Sequence, residues 1–211
     1  ICGKSGFHST GRFVLPRGHG VRPMPDTWRT FIATRVPRLP VLDELLSGLQ
    51  EMGPSVRAVR GENLHLTLKF LGETSPTQVP EIIASLETHC RDLSSVRLAV
   101  RGLGAFPDAR RARVAWAGLT PANPVVELAT DIEASMEELG FAREPRPFRP
   151  HLTLARIRGR CPAGLTGLIH SRVETDLGEF LLDQIELIRS VHGHDGVRYE
   201  TLHACRLAGR N

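Results

Sequence analysis

Apolar residues recur along this chain with two distinct periods. Leu42, Leu45, Leu46 and Leu49 keep the i, i+3, i+4, i+7 spacing of one helix face, and the pattern stops near Gly53. Val79, Ile82, Ile83 and Leu86 repeat that spacing behind the start signal Ser75-Pro76, and a third helix is predicted from about Asn123 to Leu139, ending at Gly140. Strands are predicted at Trp28 to Val36, Val56 to Val59, Leu64 to Leu71, Val96 to Leu103, Arg113 to Leu119 and Phe148 to Ile157. Leu165 to Ile169 reads as a short helix. The tail reads as two strands, Phe180 to Val191 and Val197 to Leu207, joined by a Gly-rich turn containing Asp195-Gly196. Helices and strands alternate similarly in both halves, and no stretch resembles a linker. The expectation is an α+β fold with an internal duplication, a single bilobal domain over residues 24–211 whose antiparallel sheets face one cleft.

Two of the predicted strands carry the same tetrapeptide, His65-Leu66-Thr67-Leu68 and His151-Leu152-Thr153-Leu154. Side chains on a strand alternate between faces, so each copy presents a histidine and a threonine on one side and two leucines on the other. A lone strand histidine is ordinarily structural. A matched pair on neighbouring strands instead supplies two imidazoles and two hydroxyls to one pocket.

Composition bounds this picture without choosing a function. With 211 residues and 41% hydrophobic content the chain can bury a sizeable core. It has no apolar run of the ~20 residues that a membrane helix needs, and no signal-like segment, so a cytoplasmic monomer with no membrane partner is expected. Cys2, Cys90, Cys161 and Cys205 are scattered without metal-ligand spacing and read as reduced thiols. The formal net charge of +4 equals the contribution of Lys4, Arg12, Arg17 and Arg22, all ahead of the first acid, Asp26. Residues 1–23 have no sustained periodicity and read as an N-terminal extension foreign to the domain. A global basic charge therefore does not argue for nucleic acid. Locally, Arg143, Arg146, Arg149, Arg156, Arg158 and Arg160 stand against one acid, Glu144, around the second motif. That is either a solvated face or the footprint of a polyanionic substrate.

The segments His65-Leu-Thr-Leu-Lys-Phe-Leu-Gly-Glu73 and Arg146-Pro-Phe-Arg-Pro-His-Leu-Thr-Leu-Ala-Arg156 resemble the two signatures of the 2H phosphoesterase superfamily. More closely they resemble its RNA 2',3'-cyclic phosphodiesterase branch, the ThpR or LigT type, also called 2'-5' RNA ligase. Gly104-Ala-Phe-Pro107, Arg113 to Trp116 and Ser190 to Tyr199 add to the likeness, which spans roughly residues 29 to 207. The resemblance implies a bilobal 2H phosphoesterase-like fold with two pseudo-symmetric lobes and helices outside. It also implies opening of a cyclic phosphate to a 2'-phosphate without metal or other cofactor, on RNA ends or small cyclic-phosphate nucleotides.

Opening such a ring needs one group to take a proton from water and another to give one to the leaving ribose oxygen. Histidine, with an ordinary pKa of ~6.5, suits both tasks. By resemblance and geometry His65 is assigned as general acid and His151 as general base. Sequence alone leaves the reverse assignment open. Thr67 and Thr153 would donate to the non-bridging oxygens. Lys69 shares parity with His65 and could flank the phosphate. Arg156 has the wrong parity unless its strand bulges, although the Leu-Ala-Arg pattern favours it. Phe148 is either a base-stacking ring or core packing, and Arg149 is a further substrate-binding candidate. His192 and His194 read as a polar turn rather than a metal pair. Reversible 2'-5' ligation, hydrolysis of another cyclic nucleotide phosphate, and RNA binding without catalysis remain as alternatives. The intact acid/base pair disfavours the last.

Overall fold

The computed structural model describes residues 27–193 and 196–208, so the extension at residues 1–23, together with His194 and Asp195 of the predicted turn, lies outside the described residues. Its elements are β1 (Trp28–Arg35), α1 (Pro40–Glu51), β2 (Val56–Ala58), β3 (His65–Thr74), α2 (Val79–Asp92), β4 (Val96–Phe106), β5 (Val114–Thr120), α3 (Asn123–Glu138), β6 (His151–Ile157), α4 (Ala163–Ser171), β7 (Asp176–Leu182), β8 (Gln184–Gly193) and β9 (Gly196–Arg206). The helices sit where their periodicity puts them. Pro40 occupies the first turn of α1, and Leu42, Leu45, Leu46 and Leu49 are buried. Ser75 closes a capping box: its hydroxyl accepts from the Thr77 N–H at 3.3 Å, and its own N–H donates to Gln78 Oε1 at 3.0 Å. One 3-10 turn follows before α2 begins.

The strands form one curled antiparallel sheet in the order β7-β4-β5-β6-β3-β1-β8-β9, with β2 also paired to β6. That order is symmetric about its middle. β3 is flanked outward by β1, β8 and β9, just as β6 is flanked by β5, β4 and β7. The halves meet at a single ladder step, Leu66 opposite Leu152. All four helices contribute to one large core on one face of the sheet, which includes Leu66, Leu68, Leu152 and Leu154. A small second cluster of Phe31, Ala33 and Ile188, with Tyr199 packed on it, lies on the opposite face.

Two expectations are corrected here. The apolar run Phe180 to Val191 is not one strand, because it breaks at Asp183 into the end of β7 and most of β8. β7 pairs with β4 and β8 with β1, so at Asp183 the chain passes from one half of the sheet to the other. Apolar residues continue on both sides of Asp183, and that pattern does not signal a change of partner. Cys90 and Cys205 are joined as a disulfide with Cα atoms 6.2 Å apart, rather than standing as separate thiols. Their separation of 115 residues hides the pairing from any spacing rule, since it arises only when the last turn of α2 meets β9.

Bulges set which face each residue takes. In β3 the pairing with β1 skips Leu68 and then Leu71, and in β6 the pairing with β5 skips Leu154. A further irregularity lies at Gly102, between Arg101 and Leu103 of β4. Gly102 has φ +74°, and a Cβ there would overlap the Val173 carbonyl oxygen. Gly102→Ala should therefore lower the unfolding free energy by about 1–3 kcal/mol, read as a reduced urea midpoint. Gly167 lies inside α4 with nothing within 4 Å of an added Cβ, so Gly167→Ala should raise stability by up to about 1 kcal/mol. A midpoint unmoved by Gly102→Ala would mean that the bulge is not held as described.

Candidate active site

The Leu66–Leu152 step puts both leucines into the core and turns the residues beside them to the other face. Because the strands are antiparallel, His65 then lies across from Thr153 and Thr67 across from His151. Each imidazole is anchored in the same way. His65 Nδ1 is 2.6 Å from the carbonyl of Asn63, and His151 Nδ1 is 2.7 Å from the carbonyl of Arg149. A carbonyl only accepts, so Nδ1 carries the proton in the neutral ring and Nε2 is left as the reactive nitrogen. Neither the Thr67 nor the Thr153 hydroxyl has a hydrogen-bond partner among the described residues.

Beyond the threonines the bulges reassign the faces. With Leu68 skipped, Lys69 points into the core at 4% exposure, opposite Ile32. Its ammonium is 2.5 Å from Glu133 Oε1 and 3.0 Å from the Ala142 carbonyl. This corrects the reading of Lys69 as a phosphate neighbour. A buried lysine needs such a partner, and here it ties β3 to α3. The same slip in β6 buries Ala155 and turns Arg156 outward onto the face of His151 and Thr153. Strict alternation had forbidden that placement. Phe148 is half-buried against the main core rather than free to stack, and Arg149 is exposed, holding His151 through its backbone carbonyl.

Sequence reasoning missed the aromatic surroundings. Phe31 and Tyr199 stand 5.0 and 5.2 Å from the His65 ring, while Phe106 and Trp116 stand 5.2 and 6.4 Å from the His151 ring. Phe70, turned to this face by the Leu68 slip, is 65% exposed and 6.0 Å from Phe31. The bulges carry no local signal, so alternation along the strand does not reveal the outward turn of Phe70. The two halves also differ. Beside His65, buried Glu186 accepts from Arg35 Nε at 3.0 Å, from the Thr201 hydroxyl at 2.6 Å and from Gln184 at 3.0 Å. At the matching place beside His151, Gly104 faces Trp116, whose ring fills the space that a Cβ would take. The Trp116 indole N–H is buried without a hydrogen-bond partner among the described residues.

Burial lowers the pKa of both histidines from 6.5. The backbone bonds from Asn63 and Arg149 oppose that shift, the positive charge of Arg156 adds to it at both rings, and Arg35 lowers and Glu186 raises the value at His65. Of the arginine cluster, Arg143 is paired with Glu137 at 2.8 Å and Arg146 with Glu144 at 2.7 Å. Among the described residues no three His, Cys, Asp or Glu side chains converge on one point, and no helix is long and apolar enough to cross a membrane.

Comparison with known proteins gives one consistent result. A family model described as LigT like Phosphoesterase matches residues 39–116 and 119–199. A protein of Aeropyrum pernix named RNA 2',3'-cyclic phosphodiesterase is 33% identical over 172 residues, 79% of this chain and 95% of its own length. One of the same name from Thermus thermophilus is 32% identical over 87% of this chain and 92% of its own. A solved Thermus thermophilus structure superposes with a TM-score of 0.68 at 29% identity, covering 87% of this chain and all of that one. E. coli LigT solved with NADP+ gives a TM-score of 0.63 at 25% identity, covering 86% of this chain and 99% of that one.

Lowered histidine pKa values have a definite sign in stability. Between the folded pKa and 6.5 the unfolded chain binds more protons, so the neutral rings' contribution is complete above pH 6.5 and is lost as pH falls through the folded values. Urea unfolding between pH 5 and 7.5 should show this slope, and His65→Asn with His151→Asn should flatten it. An unchanged slope in the double variant would show that other groups produce it.

Proposed function

This chain belongs to the LigT-like phosphoesterase family, and from that membership we propose that it hydrolyses RNA 2',3'-cyclic phosphate ends to 2'-phosphomonoesters through its two motif histidines. The observation that carries the reading is the matched anchoring of the two rings. Each Nδ1 is held by a carbonyl two residues upstream, each Nε2 is left reactive, and the two motifs meet on one sheet face. The name borne by the Aeropyrum and Thermus relatives supplies the substrate class.

The chemistry follows from where charge and protons must go. A water oxygen attacks phosphorus while its proton passes to the neutral His151 Nε2. The bond from phosphorus to the ribose 3'-oxygen breaks, and that oxygen takes the proton carried by His65 Nε2. His65 ends neutral and His151 protonated, and exchange with solvent restores the start. If the ring binds turned around, the two histidines exchange roles. Thr67 and Thr153 donate to the non-bridging oxygens, where negative charge grows. Arg156 adds a cation on the same face. Phe70 offers the terminal base an apolar surface beside the His65 half.

Both proton tasks are covered by imidazoles, so turnover of a cyclic-phosphate oligoribonucleotide should persist after exhaustive chelation. Phosphorus NMR should then identify a 2'-monophosphate. Loss in EDTA with rescue by a divalent ion would overturn the two-histidine scheme. His65→Ala and His151→Ala should each lower kcat by about 10² to 10⁴-fold, and the double variant should lose far less than the product of the two. Near-normal turnover in either single variant would remove that histidine from the mechanism.

A further inference from the structure

β2 contributes only three residues to the sheet, yet its register against β6 sets Arg57 directly opposite Arg156. The flanking pairs fix the face. Val56 opposite Ile157 and Ala58 opposite Ala155 belong to or pack on the main core, so the two arginines stand on the other face, with His151 and Thr153. Directly opposed residues on antiparallel strands hold their Cβ atoms ~4.5–5.5 Å apart, and like charges at that spacing repel. Several arginines of the fold are paired with acids, among them Arg35 with Glu186, Arg97 with Glu179, Arg101 with Glu174, Arg143 with Glu137 and Arg189 with Glu200. Among the described residues, neither Arg57 nor Arg156 has an acidic partner, although both are exposed.

Two uncompensated guanidiniums on the working face make a site for an anion, and their planar forks match phosphate oxygens. Arg156 acts electrostatically on both histidines, which puts it within range of the reacting phosphate. Arg57 stands on the strand beside it, one step further from the histidines. In a strand ending in a 2',3'-cyclic phosphate, every other phosphate lies on the 5' side. We propose that Arg57, with Arg156, forms a second phosphate subsite that takes the 5'-phosphate of the terminal nucleotide. The enzyme would thereby favour RNA ends over free nucleoside cyclic phosphates. This rests on the reading of the site given above.

The test compares a nucleoside 2',3'-cyclic phosphate with the same molecule bearing a 5'-phosphate and with a dinucleotide ending in the cyclic phosphate. In the wild type kcat/KM should be higher for both 5'-phosphorylated substrates. Arg57→Gln should cut that preference about tenfold, mainly through KM, and reduce the salt slope for the dinucleotide by about one phosphate contact. Arg57→Lys should restore part of the salt slope. A preference unchanged in Arg57→Gln would overturn the subsite. A binding arm keeps the question independent of turnover: titration calorimetry with a nucleoside 3',5'-bisphosphate against the 3'-monophosphate. The wild type should favour the bisphosphate about tenfold, and Arg57→Gln should erase the difference. Equal wild-type affinities would sink the subsite, whereas absent turnover with an intact binding difference would sink only the hydrolytic reading.

Discussion

Everything at the site depends on one apolar contact, Leu66 against Leu152, both fully buried and forming the only ladder step between the two central strands. Burying a leucine stabilises by about 1.5–3 kcal/mol, so the seam is held by packing more than by hydrogen bonds along it. Its consequence is geometric. A register slip of one residue would send histidines and threonines into the core and leucines into the cleft. The helices pack against the leucines in one core, and so they help to fix the spacing of the two imidazoles.

Matched strands do not make matched environments. The His65 half carries a buried carboxylate, Glu186, held by three donors, whereas the His151 half has glycine at the corresponding position with Trp116 laid against it. Two rings anchored alike therefore sense different fields, with Arg35 and Glu186 acting on His65 alone and Arg156 acting on both. A reaction that needs one imidazole protonated and the other neutral benefits from that inequality. A perfectly symmetric site would have to obtain it from the substrate.

The sequence made the motif strands and helices legible because repeated periodicity over many residues survives local irregularity. Arg156 was readable only conditionally, since its outward turn depends on the skipped Leu154, and Lys69 was misread because Leu68 is skipped in the same manner. A bulge is a relation between two strands, and neither strand records it alone. The Asp183 crossing, the Cys90–Cys205 link and the Arg57–Arg156 register were hidden for the same reason. The aromatic rings around the histidines come from β1, β4, β5 and β9, scattered over the chain until the sheet gathers them.

The crossing at Asp183 also bears on how the protein is born. β1 and β3 leave the ribosome well before β8, the strand that covers the other side of β1, and before β9 beyond it. Until then Phe31 and Ala33 lack Ile188 and Tyr199, and the edge of β1 stays open. The half translated first is thus the half completed last. Its closing contacts span 150 residues or more, as when Thr34 donates to the carbonyl of Gln184. Such long-range closure slows folding and exposes an unpaired strand to other chains during synthesis. The half that matures at once is the later one, where β4, β5, β6 and β7 follow one another closely in the chain.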